Sequence, residues 1–353
     1  MRRAVYCKNV KIGGGAGISI QSMTNTDTCD LEATLKQIES LQEAGADIVR
    51  LAVPDAAAGK ALYNIRKHTE MPLVADIHFD YKLALTAIDA GFDKIRINPG
   101  NIAGKDKLLA VARSAKAAGI PIRVGVNSGS VNKKMLSERG MEEAIIEAAV
   151  QNIRALEEVD FKDIVVSVKS SDIRLNTAVY RRLYKMTNHP LHIGLTEAGT
   201  LEGGIIKSSM AMGALLVDGI GDTMRVSLTG DPAEEVVLAK RILNFLKLRS
   251  DGFDFVSCPT CARTHTDLIS IAERIESRLK KSDVHGIKVA VMGCEVNGPG
   301  EARDADIGVA CFEGGCVLFK EGKPLKKISE DMVEDEIVKE ALICMKDKEA
   351  LNC

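Results

Sequence analysis

Cys258-Pro-Thr-Cys261 sets two thiols on one tight turn, and a third, Cys294, lies further along in Met292-Gly293-Cys294-Glu295-Val296-Asn297-Gly298-Pro299-Gly300-Glu301. Three thiolates can hold a [4Fe–4S] cluster and leave one iron for another ligand. The Gly-Pro-Gly turn returns Glu301 toward Cys294, and a carboxylate is the harder, more labile donor that a reaction at iron requires. A closed zinc site would use the same Cys-x₂-Cys pair with Cys311 or Cys316 as its fourth ligand. Zinc ribbons usually bring a second such pair, which is missing here, so the cluster is the preferred reading and zinc stays open. Cys7, Cys29, Cys311, Cys316, Cys344 and Cys353 read as bystanders, most of them small buried apolar residues.

A second constellation is cationic. Arg50 follows Asp47-Ile48-Val49, Arg96 stands in IRINPGN, Arg123 in IRVGVNSGS, Lys169 ends IVVSVKSSD, and Arg225 stands in GDTMRVSLTGD. Each cation falls at the end of a different β-branched apolar run. Converging cations repel one another unless an anion joins them, and Arg is built for forked contacts with phosphate oxygens. Five exceed the needs of one monophosphate, so a diphosphate or two phosphates is expected. His78, Asn98, Asn127, Thr196, Glu197 and Ser227 sit at the same strand ends. His78 alone would read as a structural histidine. Glu197 is either an acid–base group or the counter-ion of the cations around it.

These residues need elements to hold them together. Strand candidates are Ile18–Met23, Asp47–Val53, Pro72–Ile77, Asp93–Asn98, Pro121–Val126, Asp163–Val168, Leu191–Leu195 and Thr223–Leu228. Helices such as Leu31–Ala44, Tyr81–Ala90, Lys105–Ala118, Met141–Val159 and Thr177–Thr187 alternate with them. EAGAD, DAGFD and AAGIP each put Gly just past a helix end and launch the next strand. Short apolar strands alternating with helices predict a parallel sheet. Eight such units fit a (β/α)₈ TIM-type barrel, whose active site lies at the C-terminal strand ends. An open doubly wound sheet is the alternative. The rhythm changes after Pro232–Leu246. Residues 1–246 are therefore read as the barrel and 247–353 as a small α+β domain carrying the cluster. Lys247–Phe255 is read as the linker between them. The second domain should contain a helix at Thr264–Lys280, a strand at Gly286–Met292, two strands around Asp306–Phe319, and a final helix at Ser329–Met345.

Composition narrows the classes. The chain has 353 residues and a net charge of −2, so no global basic field recruits nucleic acid or a membrane surface. It has no Trp and five Tyr, which speaks against stacking platforms for single strands. No apolar run has the length of a membrane span, and the start lacks a secretory h-region. A cytoplasmic enzyme is expected, and with it no structural disulfides among the nine Cys.

ISIQSMT, DIVRLAVP, ADIHFD, KIRINPGN, IRVGVNSGS, HIGLTEAG, GIGDTMRVSLTGDP, SCPTCAR and MGCEVNGPGEARDADIG together resemble the bacterial 4-hydroxy-3-methylbut-2-enyl diphosphate synthase family, in order and over nearly the whole chain. The resemblance implies an oxidoreductase of the non-mevalonate isoprenoid pathway. Its substrate would be 2-C-methyl-D-erythritol 2,4-cyclodiphosphate, reduced by two electrons from flavodoxin or ferredoxin. It implies Cys258, Cys261, Cys294 and Glu301 as ligands of a [4Fe–4S] cluster, with Glu197 and Glu301 in catalysis. Arg50, His78, Arg96, Asn98, Arg123, Asn127, Lys169, Thr196, Arg225, Ser227 and Asn297 would face the substrate. It also implies a head-to-tail homodimer in which one subunit's cluster caps the other's barrel. Only about 30 residues separate Ser227 from Cys258, so this resembles the short form without an extra middle domain. A non-redox phosphate-binding barrel with structural zinc, and a barrel kept only as a scaffold, are the rival classes.

Overall fold

The computed structural model describes residues 2–98, 101–102, 104–127, 133–264, 266–294 and 302–352. The chain divides into two compact units, Met1–Ile242 and Leu243–Cys353.

The first unit opens with a hairpin, β1 (Ala4–Cys7) and β2 (Val10–Gly13), then alternates strands and helices. The strands are β3 (Ser19–Met23), β4 (Ile48–Ala52), β5 (Leu73–Asp76), β6 (Lys94–Ile97), β7 (Ile122–Asn127), β8 (Ile164–Lys169), β9 (His192–Gly194) and β10 (Thr223–Arg225). The helices are α1 (Leu31–Glu43), α2 (Ala56–His68), α3 (Tyr81–Asp89), α4 (Lys105–Ala118), α5 (Lys133–Glu157), α6 (Ile173–Met186), α7 (Leu201–Val217) and α8 (Pro232–Phe245). Four of the helices start on an aspartate: Asp30, Asp55, Asp80 and Asp172 each accept a hydrogen bond from a first-turn amide. The Ala-Gly endings act as expected. Gly45, Gly91 and Gly119 take positive φ and turn the chain into the next strand. A second Gly effect was legible only in part: α5 bends at Gly140, one residue before the expected helix start at Met141.

Strand order is β8-β7-β6-β5-β4-β3-β10-β9, parallel throughout, and a bridge between Val166 and Leu191 joins the two ends. The sheet is thus a barrel and not an open doubly wound sheet. The β1–β2 hairpin was not foreseen in the sequence. Its Val5, Cys7 and Ile12 pack on Ile48, Val74 and Val165 near the starts of β4, β5 and β8, so it plugs the N-terminal end.

The second unit contains β11 (Asp254–Ser257), α9 (Leu268–Lys281), β12 (Lys288–Met292), β13 (Ile307–Phe312), β14 (Gly315–Lys320), β15 (Lys323–Ile328) and α10 (Val333–Asn352). Its sheet runs β11-β12-β13-β14-β15, with the first three parallel and the last two antiparallel to their neighbours. Leu268, Ile271, Ile275 and Leu279 recur at helical spacing on α9 and bury against Val289, Val291, Val309 and Leu318. Three expectations need correction here. The end of the supposed linker, from Asp254, is strand β11, because Phe255 and Val256 pair with Val289 and Ala290. A third strand, β15, completes the antiparallel part. Cys311 and Cys316 form a disulfide: they are directly opposed in β13 and β14 with Cα atoms 4.1 Å apart. No helix among the described residues is long and apolar enough to cross a membrane.

Candidate active site

Side chains alternate faces along a strand, so every second residue of each barrel strand points inward. That parity brings the predicted cations together. Arg50, Arg96, Arg123, Lys169 and Arg225 line one cavity of about 110 Å³, with His78, Gly125, Ser167, Thr196 and Ser227. Arg96, Lys169 and Arg225 come from the C-terminal halves or ends of their strands, Arg50 from the middle of β4, and Arg123 from the second residue of β7, where it is 1% exposed.

Two inward glycines make this crowding possible. A Cβ at Gly125 would lie 2.8 Å from Arg96 Nε, and one at Gly194 would lie 3.0 Å from Lys169 Nζ. Each glycine is the hollow in which a cationic head rests.

The cluster carries two carboxylate partners that the sequence reading missed. Asp76 ends β5 and is almost fully buried. Its Oδ2 accepts from Arg50 Nη2 at 2.9 Å, its Oδ1 lies 3.3 Å from Arg96 Nη1, and His78 Nε2 is 3.8 Å away. Burial alone would raise the Asp76 carboxyl, but Arg50, Arg96 and Arg123 outweigh it and hold the group below its ordinary range. Glu235, in the first turn of α8, pairs with Arg225 at 3.3 Å and accepts the Leu228 amide at 2.9 Å. The signal for Asp76 was its inward parity on a strand flanked by cations. Glu235 gave none, since it lies on a helix far along the chain.

Burial presses on the cations as well. It lowers Lys169 far below an ordinary lysine, and Arg225, Arg123 and Arg50 add to the effect. Burial also lowers Arg123, with Arg50 and Arg96 next in weight. A dianion entering this cavity meets donors already gathered and already stripped of water, which is electrostatic preorganisation.

The remaining predicted residues divide. Asn98 is buried, accepts from Asn152 Nδ2 at 3.3 Å and does not line the cavity. Glu197 is exposed just past β9 and also lies off the cavity, but its φ of 54° is a left-handed conformation rare for a non-glycine residue. Such strained backbone recurs at active sites. The side chain of Asn127, and Asn297 and Glu301 altogether, lie outside the described residues.

Two of the thiols leave the second unit's sheet at the same end. Ser257 pairs with Val291, so β11 and β12 end side by side and release Cys258 and Cys294 at the same end. The Gly293 amide donates to Cys258 Sγ at 3.2 Å, and the Cys261 amide donates to Thr264 Oγ1 at 3.2 Å. The Arg263 amide and then the Arg263 charge pull the Cys261 thiol below its ordinary value, toward the thiolate a soft metal binds. Cys258 is half-buried, Cys294 buried and Cys261 exposed. Among the described residues no three His, Cys, Asp or Glu side chains are drawn together as a metal site. The donor chemistry nonetheless fits iron and sulfide: three thiols, one with an N–H···S bond already in place. The Cys311–Cys316 disulfide removes both proposed fourth ligands of the rival zinc site.

Comparison with known proteins adds an independent line. A family model described as the GcpE TIM-barrel domain matches residues 2–240, and one described as the GcpE protein C-terminal domain matches 254–342. A protein of Caldicellulosiruptor saccharolyticus, named 4-hydroxy-3-methylbut-2-en-1-yl diphosphate synthase (flavodoxin), is 54% identical over 96% of this chain and 98% of its own. One of the same name from Ruminiclostridium cellulolyticum is 53% identical over 94% of each chain. Among solved structures, dihydropteroate synthase from Stenotrophomonas maltophilia aligns with 69% of this chain and 97% of its own, at a TM-score of 0.53 and 16% identity. That last likeness concerns the barrel fold alone.

Proposed function

The chain belongs to the GcpE family, the 4-hydroxy-3-methylbut-2-en-1-yl diphosphate synthases, and on that premise we propose how its residues serve the reaction. The reaction is the reductive opening of 2-C-methyl-D-erythritol 2,4-cyclodiphosphate to (E)-4-hydroxy-3-methylbut-2-enyl diphosphate. The ring C–O bond to phosphate breaks, a neighbouring hydroxyl leaves, and a C=C bond forms. Two electrons and one proton enter, water departs, and the product carries one more negative charge than the substrate.

The observation that carries this reading is the convergence of Arg50, Arg96, Arg123, Lys169 and Arg225 on one cavity. They hold the cyclic diphosphate, and Asp76 fixes Arg50 and Arg96 while Glu235 fixes Arg225. His78, Thr196 and Ser227 offer further hydrogen bonds from the same wall. Asn98, Asn127 and Asn297 complete the proposed substrate-facing set. Glu197, on its strained turn, is the acid that protonates the departing hydroxyl. A [4Fe–4S] cluster held by Cys258, Cys261, Cys294 and the exchangeable Glu301 supplies the electrons when bound.

The assignment of 1–246 to substrate and 247–353 to the cluster follows from these two sets. Reduced flavodoxin, which the relatives' names cite, or ferredoxin is the donor. The enzyme works in the cytoplasm as a homodimer whose active site combines one subunit's cluster domain with the other's barrel. Phosphorus NMR tests the activity. Anaerobically reconstituted protein with reduced flavodoxin should replace the cyclic diphosphate signals by those of an open diphosphate ester. Unchanged cyclic substrate after many equivalents of electrons would overturn the reading.

A further inference from the structure

Beneath the substrate cavity lies a polar layer to which the reaction assigns no role. Lys94 opens β6 two residues before Arg96, facing the same way and about 7 Å lower. It is 0% exposed, and its Nζ has no hydrogen-bond partner. Ser19 Oγ, Gln21 Nε2, Arg123 Nε, Thr223 Oγ1 and both ring nitrogens of His192 are buried and unpartnered too. Thr223 is in register with both Ser19 and His192, so these three share one level of the barrel, while Gln21 and the cavity-lining Arg123 stand nearer the mouth.

The charges at this depth do not balance. Among the described residues, the carboxylates that act on Arg50, Lys94, Arg96, Arg123, Lys169 and Arg225 are Asp76, Glu235 and, at Lys94, Asp93. The titratable and charged groups that act on Lys94 are Cys7 from β1, Arg123 from β7, Arg50 from β4, its chain neighbour Asp93 and His192 from β9. Asp93 is already taken by Arg66 at 2.9 Å and by the Leu73 amide at 2.8 Å. Cys7 is no anion, since burial pushes its thiol up to about 11. An arginine cannot shed its proton, but a lysine can, and of the two lysines here Lys169 lines the cavity itself while Lys94 does not.

We propose that Lys94 is a proton-linked binding residue: while the barrel mouth is free it gives up its proton in mildly alkaline solution, and it takes that proton back when a diphosphate occupies the mouth above it. The proposal rests on the substrate reading given above. Burial lowers the Lys94 ammonium to about 8, so both states are accessible near neutral pH. A dianion one or two strand residues away should raise it by about one pH unit or more.

Isothermal titration calorimetry of the oxidised holoenzyme, in buffers of different ionisation enthalpy, measures this uptake. The probe is 2-C-methyl-D-erythritol 2,4-cyclodiphosphate, whose phosphates are both diesterified and do not titrate near pH 8. Without electrons it binds but does not react. The wild type should take up about half a proton at pH 8.5 and little below pH 6.5. Lys94→Met should lose that uptake. So should Lys94→Arg, which keeps the charge and guards against a core that rejects methionine. Uptake that persists in either folded variant, or is absent from the wild type across pH 7 to 9.5, overturns the proposal. Absence of any binding would instead count against the substrate reading.

Discussion

At the scale of single residues the two sites make opposite demands. The thiols must be soft donors free to meet iron, whereas the barrel cations must be fixed and dry. Cys258→Ser, Cys261→Ser and Cys294→Ser should each abolish iron retention, because hydroxyl replaces a thiolate poorly. Cys311→Ser and Cys316→Ser should keep the iron, since those sulfurs are spent on each other. Iron and sulfide analysis of the five variants decides it, and a Cys311→Ser protein devoid of iron beside an iron-loaded Cys294→Ser protein would refute the ligand set. In the barrel, Arg225→Ala removes a charge-assisted contact of about 1.5 to 3 kcal/mol. That is roughly a tenfold to more than hundredfold rise in KM for the cyclodiphosphate, and unchanged kinetics would take phosphate binding away from this position. Asp76 gives a pH signature. Its folded-state pKa lies below the unfolded value, so its stabilisation is fully present above about pH 4 and is lost as pH falls through the folded pKa. Asp76→Asn should therefore be less stable than the wild type at pH 7, and the gap in denaturant midpoint should narrow below pH 4. A gap independent of pH would mean that packing, and not charge, explains the loss.

At the scale of elements, the barrel was legible because two periodicities coincide: buried β-branched runs, and helices closed by Ala-Gly. Arg50, Arg96, Arg123, Lys169 and Arg225 were legible because strand parity and strand ends can be counted on a sequence. What could not be counted was pairing. The β1–β2 hairpin hides because its strands are four residues each and its turn at Lys8 takes a positive φ without a glycine there. The Cys311–Cys316 bond follows from register in the β13–β14 hairpin, which spacing alone does not reveal. Asp76, the anchor of Arg50 and Arg96, drew no notice in the sequence because a lone strand-end aspartate does not reveal its partners. The glycine hollows were also invisible, since a strand glycine announces space but not what fills it. Gly194→Ala should crowd Lys169 and Gly125→Ala should crowd Arg96. Both variants should fold with near-native circular dichroism and lose substrate affinity, the former through Lys169 and through the Arg225 carbonyl oxygen, which a Cβ at Gly194 would meet at 2.8 Å. A Gly194→Ala enzyme with normal KM would show that the Lys169 head does not need that hollow.

At the scale of the whole molecule, the question is how electrons and substrate meet. Helix α8 starts after the C-terminal end of β10 and its 14 residues run about 21 Å toward the other end of the barrel. The stretch from Phe245 to Asp254 spans at most about 30 Å. The composite dimer proposed above assigns the thiols and the cations of one active site to different subunits. Mixing inactive Cys294→Ser with inactive Arg123→Ala subunits tests it: a mixed dimer has one doubly damaged site and one intact site, so partial activity should return, and no recovery despite proven exchange would remove the cross-subunit site. The central claim is that electrons held on the Cys258, Cys261 and Cys294 iron–sulfur centre pass to a diphosphate held by the barrel cations. Stopped-flow absorbance reads it directly, with anaerobically reconstituted protein reduced beforehand, freed of donor and mixed with the cyclodiphosphate. The account predicts that the visible iron–thiolate absorption returns only when substrate is added, with no more than one product formed per two electrons stored. A reduced centre that ignores the substrate, or a protein that holds zinc and no iron, would contradict it.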